Sequence, residues 1–466
     1  MRPARSIVIV GALAALSATA CKESPTVPEL NNVSTDAING GLTKASAASL
    51  VNGVIDGDHR NFGFAHVVFA ETMARDVYNL DPAENRFITE ALQVPPDPAG
   101  FLGGGDWLGW FIVIRTANTI LDNLTTAKDM TTAEQSATAG LVQTYKAIEL
   151  YHALEQRDSL GVPIDLDTPA GGTPADFRCK PNVLAYISAL LDTAYIKLQA
   201  GGGTFPFSLP GGFSVNGSFN TPVSFAKFNR AWKGKIELYR GLDHSQPDAT
   251  AFGRAIAALG QSFISTAPAD LVKGVYYTYS TAVGEITNPL FASTLHFNPA
   301  VGDSIQAGDL RSSKILVRAA PVTRNGVTTK YDPAVAVTTN AANQTRSMAS
   351  MRDEELLLLR AQAEIGARDL VAATNDLNVV RVNAGGLAPY PTFTSATAAI
   401  SAVLYEKRYS LLLEGGADRL VDLRAYNRFN AGNLKKEFTN DAFTAALPIP
   451  YGDAQARSGN VTPVCK

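Results

Sequence analysis

Charged residues and histidines are scarce in this sequence. Charged side chains make up 18% of its 466 residues, below the roughly 25% of typical globular domains. The formal net charge is −3, so a basic surface large enough to hold a nucleic acid is not expected. The 5 histidines lack the spacing of two on one helix face that a zinc hydrolase needs. We therefore predict no nucleic-acid partner and no metal site.

Motifs of nucleotide-binding and hydrolytic enzymes are also missing. The glycine-rich stretch FLGGGDWLGW, residues 101–110, lacks the lysine and the serine or threonine that complete a phosphate-binding loop. No predicted strand leads into a dinucleotide fingerprint, and no Gly-x-Ser-x-Gly elbow occurs. The sequence thus favours a binding protein without a cofactor over an enzyme.

Three carboxylates near the C-terminus, Glu414, Asp418 and Asp422, are interleaved with Arg419 and Arg424. Two carboxyl groups that face each other across a cleft can act as acid and base. Nearby arginines, however, lower the pKa of a carboxyl group, whereas a general acid needs a raised pKa. We interpret these residues as an ion-pair network that fixes the junction between two helices.

An apolar run near the N-terminus ends at a single cysteine. Two arginines precede residues 7–20, which are uncharged and mostly apolar but too few to span a bilayer, for which about 18 are needed. A basic start, a short apolar stretch and small residues before the cleavage site are typical of a secretory signal. The residues before Cys21 resemble a bacterial lipobox, in which the cysteine is acylated with fatty acids such as palmitate. We predict a lipoprotein signal peptide over 1–20 and a lipidated tether over 21–35; the alternative is an ordinary secretory peptide.

Two further cysteines, Cys179 and Cys465, remain after the acylated one. In an oxidising compartment outside the cytoplasm they could form a disulfide. Such a bond would tie the C-terminus to the middle of the chain. The alternative is two unpaired thiols.

Helical periodicity is the strongest signal after the leader. Apolar residues recur at helical spacing in residues 137–156, 181–199 and 229–242, where His152 and Trp232 are expected to pack in the core. Residues 351–383 predict a helical hairpin, because Gly366 interrupts the pattern and Asp369 can cap the next helix. Such hairpins are the units that tetratricopeptide arrays stack. We predict an all-α, tetratricopeptide-like frame of helical hairpins, an α–α superhelix.

Two stretches between the helices have a different character. Residues 201–222 combine glycine and proline with four phenylalanines, and residues 271–345 are long, rich in Thr, Val, Asn and Gly, and weakly periodic. Asn325 and Gly326 are a plausible hairpin turn. Loops of such length inside a compact domain usually carry function or are disordered, and the aromatic content here favours order. We expect long irregular loops with minor β-hairpins.

Aromatic and amide side chains beside glycine- or threonine-rich turns are the candidate ligand-binding residues. Sugar rings present apolar C–H faces and hydroxyl edges, so their sites need aromatic platforms and a few polar partners. The alternative is that Trp107 and Trp110 simply join a helix core. The candidates are Asp76, Tyr78, Asn79, Trp107, Trp110, Tyr276, Tyr277 and Tyr279.

Several ordered motifs resemble the SusD/RagB family of outer-membrane nutrient-binding lipoproteins. The most specific is the helical hairpin at 355–386, with its Leu-Arg-Ala-x-Ala-Glu helix and Asn-x-x-Arg-x-x-Ala-Gly close. The other motifs that carry the resemblance are RTANTILDNL at 115–124, YKAIELYHALEQRDSLGVPIDL at 145–166, YEKRYSLLLEGGADRLVDLRAYNRF at 405–429 and LPIPYGD at 447–453.

The resemblance implies one domain over 36–466, with a helical part at about 36–260, a loop-rich part at about 261–350 and a second helical part at about 351–466. It also implies a non-catalytic, lipid-anchored protein of the outer membrane that faces the cell surface. Such a protein would bind an oligosaccharide, a polysaccharide or another nutrient and pass it to a SusC-like, TonB-dependent transporter. The alternatives are an all-α glycan-degrading enzyme and a protein-binding helical scaffold.

Overall fold

The computed structural model describes residues 38, 41–100, 102–103, 107–166, 172–414 and 418–464. The predicted signal peptide, Cys21, the predicted tether and Cys465 lie outside the described residues. The predicted domain limits therefore stay a prediction. Within the described residues, no helix combines the length and the apolar character needed to cross a membrane.

Helices form the frame of the molecule, as the periodicity predicts. They are α1 (Lys44–Asn61), α2 (Phe64–Met73), α3 (Arg86–Ile88), α4 (Trp107–Asn123), α5 (Thr132–Arg157), α6 (Lys180–Gln199), α7 (Pro222–Gly241), α8 (Thr250–Gly260), α9 (Pro299–Asp303), α10 (Asp353–Gly366), α11 (Leu370–Asn383), α12 (Ala396–Ser410), α13 (Asp418–Ala425) and α14 (Tyr451–Ala456).

The long helices pack against their neighbours in chain order. Helix α5 lies between α4 and α6, α7 packs on α6 and α8, and α10 packs on α8, α11 and α12. At the α5–α6 contact, a Cβ atom on Gly140 would lie 2.6 Å from Leu198 Cγ, so only glycine allows the two helices to approach this closely. The stacked helical pairs confirm the predicted tetratricopeptide-like frame.

The hairpin predicted at 351–383 is present as α10 and α11. The side chain of Asp369 caps α11 by accepting a hydrogen bond from the backbone N–H of Ala372, which satisfies one of the free N–H groups at a helix start. His152 and Trp232 are buried in the main core, with 1% and 2% of their surface exposed. Both expectations from the sequence are confirmed.

Strands are short and lie mostly in the loop-rich part. They are β1 (Val77–Asn79), β2 (Val162–Pro163), β3 (Phe177–Arg178), β4 (Gly274–Tyr277), β5 (Leu295–Phe297), β6 (Ile315–Arg324), β7 (Val327–Pro333) and β8 (Met348–Arg352).

The strands pair in three antiparallel groups. The largest is a four-stranded sheet in the order β1-β5-β7-β6, and the others are the pairs β2–β3 and β4–β8. The predicted turn between β6 and β7 is confirmed, with φ values of 52° at Asn325 and 82° at Gly326, as a two-residue hairpin turn of this type requires. In the β4–β8 pair the register shifts between Val275 and Tyr276.

The predicted ion-pair network is present, but its partners differ from the expected ones. Each carboxylate pairs with a cation from a distant element: Glu414 with Arg352 and Lys314, Asp418 with Lys235, and Asp422 with Lys407. The interleaved arginines bond elsewhere, since Arg419 faces Asp76 at 3.5 Å and Arg424 donates to backbone carbonyls. Residues that are neighbours along α13 point in different directions, so spacing alone misassigned the pairs.

Cys179 lies at the start of α6 and is disulfide-bonded. Its backbone N–H donates to the carbonyl of Val464 at 3.4 Å, and the N–H of Val464 donates to the carbonyl of Phe177 at 2.8 Å. The C-terminal segment therefore pairs with the chain beside Cys179. The predicted partner, Cys465, lies outside the described residues, and the pairing with it stays a prediction.

Candidate ligand-binding site

The β4–β8 ribbon separates two cavities. Met348, Ala349 and Arg352 of β8 line a cavity of about 510 Å³. Val275 and Tyr277 of β4 and Ser350 of β8 line one of about 370 Å³. Tyr276 borders both cavities. Both volumes fall in the range of small-molecule sites, about 300–1,000 Å³.

We call the smaller cavity the acidic cleft because its charged lining includes three carboxylates. Helix α1 presents Asn52, Asp56 and His59 to it, at helical spacings of four and three residues. The facing wall is the loop 208–213. The complete lining is Asn52, Ile55, Asp56, Asp58, His59, Tyr145, Ser208, Leu209, Pro210, Phe213, Val275, Tyr276, Tyr277, Thr278, Glu285 and Ser350.

Aromatic rings in and beside the acidic cleft pack against one another. The imidazole of His59 stacks on Tyr277, with centroids 5.4 Å apart and planes 5° apart, and lies 4.9 Å from the ring of Tyr279. The Tyr277 hydroxyl donates a hydrogen bond to Asp58 Oδ2 at 3.0 Å. These contacts hold the rings and the carboxylate in fixed positions, as a preorganised site requires.

Unbonded polar atoms mark this region as a place where a ligand can bind. His59 Nε2 and the Tyr279 hydroxyl are buried and have no hydrogen-bond partner among the described residues. Burial lowers the pKa of His59, so its neutral imidazole offers one donor and one acceptor near pH 7. Buried polar groups without partners are costly, and a ligand rich in hydroxyl groups would satisfy them.

A proton is held beneath the acidic cleft by Asp58 and Glu149. Burial raises the pKa of Asp58, and it raises the pKa of Glu149 well above its usual range with help from the charge of Asp58. The two carboxyl groups are close enough to hydrogen-bond. Such a bond needs one carboxyl group to keep its proton, and the proton is retained at pH values where an exposed glutamate is ionised.

We expect Glu149→Gln to raise the free energy of unfolding near pH 8 and to change it little near pH 4. The stabilising contribution of a carboxyl group with a raised folded pKa is fully present below its unfolded pKa, and it is lost as the pH rises through the folded pKa. An amide needs no proton to bond to Asp58, so the gain near pH 8 should be on the order of 1–2 kcal/mol. Urea denaturation at both pH values measures the difference. An equal change in the free energy of unfolding at the two pH values would contradict the inference that Asp58 and Glu149 share a proton.

Five of the eight predicted site residues are in the core and offer no surface to a ligand. Trp110 and Tyr78 are fully buried, and Trp107 is 8% exposed. Asp76 accepts a hydrogen bond from Arg408 at 2.5 Å, and the backbone of Asn79 pairs with β5. The interpretation of these residues as an exposed platform needs correction, because the apolar face of α4 and the pairing of β1 turn them inward.

The three tyrosines after residue 275 are placed at or beside the cavities, as a binding role would need. Tyr277 lines the acidic cleft, Tyr276 borders both cavities, and Tyr279 packs against His59. Tyr277 and Tyr279 are themselves only 6% and 7% exposed. They therefore support the site more than they cover it, and whether any of them contacts a ligand stays a prediction.

Sequence reasoning missed the polar residues that α1 supplies. Asn52, Asp56 and His59 fall on one helix face, beside the buried residues Val51 and Ile55. A polar stripe at spacings of four and three is also what any solvent-facing helix shows. The signal could have been found only together with the position of the β4–β8 ribbon, which the sequence does not specify.

The larger cavity, which we call the basic cavity, has more cations than anions in its lining. Its charged residues are Arg311, Lys314, Arg346, Arg352, Glu354 and Glu414. Its remaining residues are Val272, Tyr276, Asn288, Leu290, Phe297, Leu310, Ser313, Pro333, Ala334, Val335, Ser347, Met348, Ala349, Ala384, Leu412 and Leu413.

One buried cluster has the residue types of a metal site. Glu155 Oε1 lies 2.8 Å from His66 Nε2 and 2.7 Å from His152 Nδ1. These are hydrogen-bond lengths, shorter than the roughly 3.3 Å that separates neighbouring ligands 2.0–2.1 Å from a tetrahedral zinc ion. The histidines bring the pKa of Glu155 down to about 2 despite burial. The sequence spacing could not reveal this cluster, because His66 comes from α2 and the other two residues from α5.

Three solved structures with a similar fold are distant from this chain in sequence. A SusD superfamily protein from Parabacteroides distasonis is 15% identical over 89% of this chain and 98% of its own, with a TM-score of 0.67. A SusD-like carbohydrate binding protein from Bacteroides vulgatus is 15% identical over 91% and 98%, with a TM-score of 0.65. Surface glycan-binding protein A from Bacteroides thetaiotaomicron, in complex with laminarihexaose, is 12% identical over 90% and 99%, with a TM-score of 0.66.

These similarities define the class of fold. No protein-family model matches the sequence, and the search of curated proteins gives no match. The chain nevertheless has the fold of SusD superfamily proteins along about nine-tenths of its length. The resemblance predicted from the motifs is confirmed at the level of the fold.

Proposed function

We propose that this protein is a non-catalytic, glycan-binding protein whose ligand occupies the acidic cleft. The observation that carries the proposal is the pair of unbonded polar atoms, His59 Nε2 and the Tyr279 hydroxyl, held beside stacked rings at the edge of an open cavity. Similar structures described as carbohydrate-binding, one of them in complex with laminarihexaose, support it.

The chemistry of the cleft suits a neutral sugar. Carboxylates accept hydrogen bonds from hydroxyl groups, and amides both donate and accept them. Asn52, Asp56 and Glu285 offer such groups at the rim of the cleft. Leu209, which is half-buried, and Pro210, which is exposed, provide apolar surface for the C–H face of a ring. A negatively charged ligand would be repelled by the three carboxylates.

The place of the protein in the cell is part of the same proposal. A lipid on Cys21 would anchor it to the outer membrane, facing the cell surface. There it would capture an oligosaccharide, a polysaccharide or another nutrient and deliver it to a SusC-like, TonB-dependent transporter. The lipobox-like residues before Cys21 and the SusD-like fold support this part of the proposal, and anchoring would raise the effective concentration of the protein beside its partner.

We expect the double variant Asn52→Ala/Asp56→Ala to bind neutral oligosaccharides at least 10-fold more weakly than the wild type. Each side chain would donate or accept one hydrogen bond, and bonds of this kind contribute about 0.5–1.5 kcal/mol, more when one partner is charged. Both side chains are exposed, and Asp56 loses only a surface pair with Arg60. Isothermal titration with laminarihexaose, maltohexaose and a panel of other neutral oligosaccharides measures the change.

Asp122→Ala is the matched control, since Asp122 is an exposed carboxylate on α4 that does not line the cleft. It should bind like the wild type. Unchanged affinity in the double variant would reject the acidic cleft as the site. Failure of the wild type to bind any oligosaccharide of the panel would reject glycan binding itself.

A glycan-degrading enzyme is the second candidate, and one observation favours it. Asp58 lines the cleft and its pKa is raised by burial, which is the state that a general acid needs. Turnover of an oligosaccharide that is lost in Asp58→Asn would support this candidate. Binding without turnover would support the non-catalytic protein.

A further inference from the structure

We propose that the basic cavity is a second binding site, specific for a sugar that bears a carboxylate, and that Arg346 binds this carboxylate. The proposal goes beyond glycan binding in the acidic cleft. It rests on the charge balance of the cavity, on the fixed position of the loop that carries Arg346 and on the mixed character of the walls.

The charges of the basic cavity leave one guanidinium unbalanced. Arg352 pairs with Glu354 and with Glu414, and Lys314 pairs with Glu414 at 3.2 Å. Arg311 is paired with Asp309 and Glu406, which lie outside the lining.

Arg346, by contrast, forms no side-chain hydrogen bond or ion pair within the part of the chain that the structure describes. It lines the cavity and is exposed to solvent. Its guanidinium can therefore bind an anion without breaking an existing ion pair.

The backbone around Arg346 is held in place. Asn288 Nδ2 donates to the carbonyl of Arg346 at 2.7 Å, and the backbone N–H of Asn288 donates to the carbonyl of Gln344 at 2.8 Å. Asn343 Nδ2 donates to the carbonyls of Ala334 and Val337. Because Asn288 and Asn343 are buried, the loop is fixed from below, and only the side chain of Arg346 is free to adjust to a ligand.

The single unbalanced positive charge of the basic cavity favours a carboxylate, which carries one negative charge, over a phosphate. One unbalanced guanidinium matches one negative charge, and its planar fork binds a carboxylate with two parallel hydrogen bonds. A phosphate carries about two charges near pH 7, and the second would face Glu354 and Glu414 across the same cavity. The acidic cleft has no arginine or lysine in its lining, so the two cavities favour ligands of different charge.

The walls of the basic cavity favour a sugar as the carrier of the carboxylate. Tyr276 is half-buried there, and its hydroxyl donates to the carbonyl of Val272, which fixes the ring. Leu310 and Val272 are 63% and 55% exposed. A fixed ring and apolar side chains fit the C–H face of a sugar, while Ser313 can bond its hydroxyl groups.

Paired probes that differ only at carbon 6 test the proposal. Binding of D-glucuronate and D-glucose, and of tri-galacturonate and neutral galactotriose, is measured by NMR titration at low and high salt. We expect the acidic member of each pair to bind the wild type more tightly. Arg346→Ala should weaken its binding at least 5-fold and leave the neutral sugar unchanged, and Arg346→Lys should restore only part of the loss.

Two controls separate this site from the acidic cleft. Lys227→Ala removes a positive charge from the exposed side of α7 and should change nothing, and Asn52→Ala/Asp56→Ala should bind acidic sugars like the wild type. Equal binding of acidic sugars by the wild type and Arg346→Ala would overturn the proposal, as would undetectable binding of every acidic probe. Inorganic phosphate that binds as tightly as glucuronate would overturn the assignment to a carboxylate. None of these outcomes bears on neutral oligosaccharides in the acidic cleft.

Discussion

Replacing Lys235 with alanine should lower the free energy of unfolding by about 3–5 kcal/mol, the largest loss of stability that we expect from a single charged side chain. Lys235 is on α7 with 1% of its surface exposed. Its Nζ lies 3.0 Å from Glu355 Oε1 on α10 and 2.8 Å from Asp418 Oδ1 on α13. The alanine variant would leave two carboxylates buried without this cation.

The electrostatics of this cluster explain the size of the effect. The two carboxylates raise the pKa of Lys235 although burial opposes its charge. Burial brings the pKa of Glu355 up to about 7 even with Lys235 beside it. Removing the cation would raise the pKa of Glu355 further. The variant would then have to protonate the carboxylates or bury their charges without the lysine that balances them in the wild type.

Urea denaturation at pH 7 measures the loss, and Lys227→Ala on the same helix is the exposed control. The triple variant Lys235→Met/Glu355→Gln/Asp418→Asn should be more stable than Lys235→Ala, because it replaces the buried charges with groups of similar size and no net charge. A loss below about 1 kcal/mol in Lys235→Ala would show that water or neighbouring groups compensate for the missing cation.

Replacing Cys21 with alanine should move the protein from the membrane fraction to the soluble fraction of the cell envelope. Each buried methylene of an acyl chain contributes about 0.8 kcal/mol, so the loss of all the acyl chains together removes most of the affinity for a membrane. Mass spectrometry of the wild type should show an acylated N-terminal cysteine at position 21. Cell fractionation followed by immunoblotting measures the redistribution.

The control for this experiment is Lys22→Ala, which changes the neighbouring residue and keeps the thiol. It should remain in the membrane fraction. A Cys21→Ala protein that stays on membranes after a high-salt wash would contradict the lipid anchor. An unacylated mature chain in the wild type would favour the ordinary secretory peptide.

The frame of the fold was predictable because its signal is local. The hairpin of α10 and α11, the cap at Asp369 and the turn at Asn325 and Gly326 each depend on residues within a few positions of one another. The burial of His152 was expected for the same reason. Ordered motifs along the chain then sufficed to indicate the SusD-like fold.

The candidate site was only partly predictable because its parts are far apart in the sequence. The acidic cleft combines α1, the loop before α7 and the strands β4 and β8, and no local pattern brings these segments together. Trp107 and Trp110 are the opposite case, because the sequence predicts them as site residues and the structure buries them. An aromatic residue beside a glycine-rich turn has the composition of a sugar platform, but the apolar face of α4 buries both rings in the core.

The β4–β8 ribbon has a consequence for engineering. Since Ala349 of β8 lines only the basic cavity and Val275 of β4 lines only the acidic cleft, the specificity of one cavity can be redesigned while the other stays intact. Substitutions at Ala349 would alter the basic cavity, and substitutions at Val275 would alter the acidic cleft. A thin partition of two strands would then allow two ligand preferences to diversify independently within a single chain.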